Sequence, residues 1–78
     1  MDALDGNAIA GELFVAFGRE MTTAVGTCKK CGASSAVAEL RVYVSGPGAV
    51  AHCPGCGTVA MVLARGTARL ARYELADP

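Results

Sequence analysis

Aromatic side chains are scarce in this sequence, which has no tryptophan, two phenylalanines and two tyrosines among its 78 residues. That leaves little for a core of stacked rings and argues against a platform on which single-stranded nucleic acid could stack. Histidine is scarcer still. The single one, His52, adjoins Cys53, so no serine or cysteine nucleophile has a free imidazole as its base. No paired carboxylates suggest a hydrolytic cleft, and Gly6, Gly11 and Gly18 lack the preceding strand and the spacing of a phosphate-binding loop. Catalysis is not expected. The chain opens Met1-Asp2 without a basic leader, so no export signal is expected. Val42 to Ala64 contains no Asp, Glu, Lys or Arg, but Gly46-Pro47-Gly48, His52 and a Cys-Pro-Gly-Cys turn interrupt it, so it does not read as a membrane-spanning helix. A cytoplasmic protein is the simplest expectation.

Cysteine is also limited to four residues, and every one falls in a CxxCG unit: Cys28-Lys29-Lys30-Cys31-Gly32 and Cys53-Pro54-Gly55-Cys56-Gly57. Such a turn aims both sulfurs at one cation, and the glycine after it supplies the positive φ of a tight reversal. Two of these knuckles face to face make a tetrahedron of sulfur, the form of a closed structural zinc site with Zn–S near 2.3 Å. The 21 residues between Cys31 and Cys53 slightly exceed the usual spacing of about 15–20. Metal is therefore predicted at Cys28, Cys31, Cys53 and Cys56. Two disulfides would suit a secreted chain, and a thioredoxin-like redox pair would need a βαβ unit for which there is no room. Iron is the alternative ion, because rubredoxins hold it with the same knuckles. Their aromatic-rich core is absent here, and zinc is preferred.

At this length a hydrophobic core alone supplies about 3–5 kcal/mol, so a structural metal is the expected remedy and the metal-free chain should be largely unfolded. The 53% apolar content overstates the core, since fifteen of those residues are alanine. Formal charge is zero, and four thiolates with one Zn²⁺ would bring it to about −2, a poor overall field for nucleic acid. Charge is divided along the chain. Residues 1–27 are net −3 and residues 28–78 are net +3, which suggests two different roles or a contact between the two regions.

Asp5 as N-cap, with Ile9, Leu13, Ala16, Phe17 and Met21 on one stripe, predicts an amphipathic helix over 5–19 ended by Gly18 or Thr22-Thr23. Phe14 and Val15 lie partly off the stripe, so they either wrap over the sheet as core or face a partner. Thr22 to Thr27 reads as a short strand or arm leading into the first knuckle. Ala36 to Val44 alternates as one half-buried antiparallel strand, Ser45-Gly46-Pro47-Gly48 turns it, and Ala49 to Cys53 returns beside it. Val59 to Arg65 is a further strand broken by Gly66. Thr67 to Leu75 is read as a return strand, with a short helix as the alternative, and Ala76 to Pro78 should fray.

Of the remaining residues, His52 is expected to be a strand residue near the site, because four cysteines already complete the tetrahedron. Lys29 and Lys30 project from the first knuckle, and Arg65, Arg69 and Arg72 form a second basic group. These five could touch phosphates. The plainer reading is that the lysines offset thiolate charge and the arginines line a solvated strand face.

Two CxxCG knuckles separated by a hairpin resemble the zinc-ribbon fold group over about residues 27–65. The opening Leu4-Asp5-Gly6-Asn7-Ala8-Ile9-Ala10-Gly11, then Phe17 and the two knuckles, resembles a family of small zinc-ribbon proteins of high-GC Gram-positive bacteria to which no activity is assigned. The segment after Val59 departs most from that pattern. The resemblance implies the four cysteines as ligands and suggests an oxidoreductase as the class of partner. Together these readings predict one small metal-stabilised α+β domain over 1–78, a zinc ribbon of three to four short antiparallel strands with an N-terminal helix, the ribbon and C-terminal strand filling 22–75. The leading function is a non-enzymatic adaptor or accessory subunit that binds another protein. Nucleic-acid or ribosome binding and iron-based electron transfer are the alternatives.

Overall fold

A computed structural model describes residues 4–46 and 48–76. The N-terminal helix is shorter than the predicted 5–19 and comes in two pieces, a 3-10 turn over Gly6–Ile9 and helix α1 over Ala10–Phe17. Asp5 caps the first piece, its carboxylate accepting from the Asn7 amide at 3.1 Å. The split falls at Ile9, whose φ −114° and ψ 23° leave the helical region, and the first piece is pressed against Val37 at Gly6, where a Cβ would lie 2.0 Å from the Val37 carbonyl oxygen. Only glycine lets the chain pass there. Gly18 ends α1 at φ 75°, donating its amide to the Phe14 carbonyl. Eight residues are too few for a stable isolated helix, so α1 depends on what it buries. Ile9 and Leu13 are fully enclosed, each contributing about 1.5–3 kcal/mol, and Ala16 and Phe17 pack at the margin as predicted. Glu20 fixes the exit: its carboxylate accepts from the Thr22 amide at 2.7 Å, the Thr22 hydroxyl and the Thr23 hydroxyl.

Among the described residues seven strands follow, more than the three to four predicted, in two antiparallel sheets. The small sheet has the order β2-β1-β7, with β1 at Val25–Cys28, β2 at Ser34–Ala36 and β7 at Tyr73–Leu75. The large sheet runs β3-β4-β5-β6, at Arg41–Ser45, Gly48–His52, Val59–Ala64 and Thr67–Leu70. The expected single strand over Ala36 to Val44 is therefore wrong. A 3-10 turn at Val37–Glu39 breaks it, with the Glu39 carboxylate accepting from the Ala36 amide at 3.0 Å, and the chain changes sheets there. Val37 and Leu40 are both buried, a spacing of three that a strand cannot satisfy, while Val44, placed on the buried side by alternation, is 40% exposed.

The β3–β4 hairpin forms as expected, its register running from Arg41↔His52 through Ser45↔Gly48, and carries the chain into the second knuckle. Pro47 of its turn lies outside the described residues. Arg65 and Gly66 form a two-residue hairpin turn, both with positive φ, between β5 and β6. The tail is extended, as chosen over helix, but it is not one strand: β6 belongs to the large sheet and β7 to the small one, with Arg72 at φ 54° between them. Ala76, expected to fray, donates its amide to Val25 at 2.8 Å, and Asp77 and Pro78 lie outside the described residues. The core lies between α1 and the inner face of the large sheet, where Val42, Ala49, Ala51, Met61 and Leu63 meet Ile9 and Leu13. Among the described residues no helix is long and apolar enough to cross a membrane.

Candidate metal centre

Each knuckle sits at the tip of a hairpin. The first joins β1 to β2, and the second joins β4 to β5. Both are built alike. In one, the Cys28 amide donates to Ala33 O at 2.9 Å and the Gly32 amide to Cys28 O at 2.8 Å; in the other, Cys53 donates to Thr58 O at 2.8 Å and Gly57 to Cys53 O at 2.9 Å. Gly32 and Gly57 share φ 79°, the left-handed conformation the CxxCG spacing requires. The same local code thus produces the same turn twice.

The four sulfurs lie within 4.8 Å of one another. Cys28 and Cys56 Sγ are 3.7 Å apart, as are Cys31 and Cys53 Sγ. A tetrahedron with metal–sulfur bonds of about 2.3 Å has edges of about 3.8 Å, so these distances fit an ion at the centre. All four thiols are free. Cys28 and Cys53 are buried, whereas Cys31 and Cys56 face solvent.

Backbone amides serve the sulfurs from behind. The Cys31 amide, then that of Lys30 and the Cys31 and Cys56 thiols, pull the Cys28 thiol down to about 6 against the opposing effect of burial. The Ala33 amide favours the Cys31 thiolate, but burial and the Cys28, Cys53 and Cys56 sulfurs outweigh it and push that thiol up to about 11. Four neighbouring thiols cannot all ionise unless a cation lies among them. The Gly55 amide also donates to Cys53 Sγ at 3.3 Å. These donors, the spacing and the soft thiolate ligands together fit a metal ion held as a closed tetrathiolate.

His52 is not part of this cluster. Its Nδ1 donates to Gly57 O at 2.9 Å, and its ring meets Tyr43 edge-on at 5.3 Å. The five basic residues do not form one patch. Lys29 pairs with Glu74 at 3.4 Å across an exposed surface, where such a bridge contributes little. The Lys29 amide donates to Arg72 O, placing those backbones together beside the knuckle, and Lys30 is exposed at its tip. Arg65 is at the opposite end of β6, in the turn before it, and Arg69 lies within that strand. Phe14 and Val15 are 54% and 69% exposed, so the reading that they wrap over the sheet as core does not hold.

One contributor was missed. Tyr73 pairs with Cys28 across β1 and β7, and its ring lies over Gly26, where a Cβ would be 2.1 Å from the ring. Its hydroxyl donates to Ser35 O at 3.4 Å, tying β7 over β1 to β2. Burial first, then the nearby Cys53 and Cys28 sulfurs, raise its ionisation above the ordinary phenol value. A glycine two residues before Cys28 was the visible signal, but nothing local marks which distant ring fills that space.

Fold and site define a small α+β protein with a four-cysteine, two-knuckle metal-binding centre, compatible with a zinc ribbon. Residues 1–73 match a family described as a family of unknown function (DUF6510), and the chain belongs to that family. Neither the curated proteins nor the solved structures contain a match to it.

Proposed function

We propose that the chain is a non-enzymatic protein-interaction adaptor or accessory subunit whose shape is held by one structural Zn²⁺ on Cys28, Cys31, Cys53 and Cys56. The observation that carries this reading is the exposed apolar pair Phe14 and Val15 on α1, taken together with a centre whose four ligands leave no position for substrate. Leu4, 47% exposed, adds to the apolar surface of the N-terminal region. Contiguous exposed apolar surface is characteristic of contact sites. Val15 also reaches the Gly66 turn, 3.4 Å from where a Cβ would stand, so the patch extends toward the β5–β6 hairpin.

Affinity purification with wild-type protein and with the Phe14→Ser/Val15→Ser variant tests the reading. A partner retained by the first and lost by the second, at equal melting temperature, is the expected result, and an oxidoreductase among the retained proteins would meet the class the family resemblance suggests. A lone monomer under native conditions would overturn it. Metal analysis separates zinc from iron: one zinc per chain in a colourless preparation is expected, and a red, visibly absorbing protein would favour electron transfer.

A further inference from the structure

The large sheet has a second side that the core does not use. Its inner face packs on α1, whereas its outer face presents Arg41, Tyr43 and Ser45 of β3, Gly48, Val50 and His52 of β4, Val62 and Ala64 of β5, and Arg69 of β6. Tyr43, Val50, Val62 and Arg69 form one row across all four strands, because each is the register partner of the next. Tyr43 and Val62 are 37% and 38% exposed. Gly48 has no side chain, and a shallow apolar depression of about 240 Å³ opens there between Tyr43, Ser45, Val50, Val62 and Ala64. That volume accepts one leucine- or phenylalanine-sized side chain.

The charge on this face has one sign. β3 to β6 contain no Asp or Glu, and Arg41 and Arg69 stand at its borders without an ion pair among the described residues. Of the carboxylates described elsewhere, Asp5, Glu20 and Glu39 cap turns, Glu74 pairs with Lys29, and Glu12 belongs to α1, which packs on the inner side of the sheet. An apolar centre with arginines at two edges calls for an apolar group flanked by negative charge. Nucleic acid fits less well, since one tyrosine and two arginines supply little stacking surface and few phosphate contacts, and the side chains lining the depression offer a base edge only the Tyr43 and Ser45 hydroxyls.

We propose that the outer face of the β3–β6 sheet is a docking surface for an acidic segment of a partner protein, one bulky apolar side chain seated over Gly48 and flanking carboxylates on Arg41 and Arg69. It lies on the side of the sheet opposite α1 and stands independently of any partner held by Phe14 and Val15.

The test titrates zinc-loaded, isotope-labelled protein with a synthetic peptide alternating leucine with glutamate. The controls are the same peptide with lysine in place of glutamate, and single-stranded DNA and RNA. The expected result is amide shifts centred on Tyr43, Val50, Val62 and Arg69 with the acidic peptide alone. Binding should weaken by about tenfold or more in Arg41→Glu/Arg69→Glu and in Val62→Glu, and fall with added salt. These side chains are exposed, so unchanged melting temperatures are expected, and Arg41→Lys/Arg69→Lys should retain most of the affinity. Absence of shifts on this face overturns the proposal. So do equal shifts with the lysine peptide, tighter binding of either nucleic acid there, or self-association through this face without peptide.

Discussion

The two sheets are held by different means. The β3–β6 sheet lays Val42, Ala49, Ala51, Met61 and Leu63 against α1 and is stabilised in the ordinary way, by apolar burial. The β2-β1-β7 sheet has almost none of this: β1 buries only Gly26 and Cys28, β2 buries nothing completely, and β7 contributes Tyr73. A sheet of strands three or four residues long with one ring for a core is not expected to persist unaided. What holds it is the sulfur cluster at one end of β1 and Tyr73 across its middle. A metal held by those four sulfurs would thus replace a hydrophobic core in one half of the molecule and supplement it in the other.

Removing the metal tests that contrast most severely. A chelator, or Cys53→Ser, forfeits binding free energy of about 10–16 kcal/mol of the kind measured for structural zinc in finger peptides. Hydrogen exchange should then show amides of Gly26, Cys28 and Ala76 unprotected, with any surviving protection confined to β4, β5 and α1. Uniform loss would mean that the halves are not separable, and a full melting temperature after chelation would remove the metal from the account. Leu13→Ala strikes the packed half, and a loss of about 2–5 kcal/mol by denaturant titration is expected. Metal stoichiometry should stay unchanged as long as the variant remains folded. Gly26→Ala drives a Cβ into the Tyr73 ring and should cost about 1–3 kcal/mol, with weakened metal retention in a competition assay. Leu13→Ala should leave that retention unaltered. The smallest effect belongs to Phe14→Ser/Val15→Ser, within about 0.5 kcal/mol per substitution by thermal melting, because neither side chain is buried.

The packed half and the knuckles were read from the sequence with different success. Both knuckles, the β3–β4 hairpin and β5 are written locally, in CxxCG and in short runs bounded by turn residues, and they stand where spacing put them. The stripe Ile9, Leu13, Ala16, Phe17 correctly named the inward side of α1. The cap at Asp5 was legible too, whereas the break at Ile9 that divides the helical segment was not. Ala36 to Val44 misled because alternation is a necessary and not a sufficient sign of a strand. Val37 and Leu40 are buried by a 3-10 turn, and no local pattern says that the chain passes there from one sheet to the other. Likewise Tyr73 looked like an ordinary tail residue, because its partner Gly26 lies far back in the chain. The arginines show the limit of sequence proximity: Arg65, Arg69 and Arg72 read as one basic group on a strand face, whereas register assigns only Arg69 to the outer sheet face, and Arg65 and Arg72 lie outside the strands with positive φ.

Pairing β7 with β1 has a consequence for the order of assembly. Hairpins β3–β4, β4–β5 and β5–β6 join neighbours in sequence and can form early, but Cys28↔Tyr73 closes a loop containing all of them. Contacts between remote segments form slowly, since chain entropy is lost before they compensate for it. β7 is therefore the last strand to set, and an ion captured by either local pair of sulfurs, Cys28 and Cys31 on β1–β2 or Cys53 and Cys56 on β4–β5, would stay half-coordinated until those two hairpins meet.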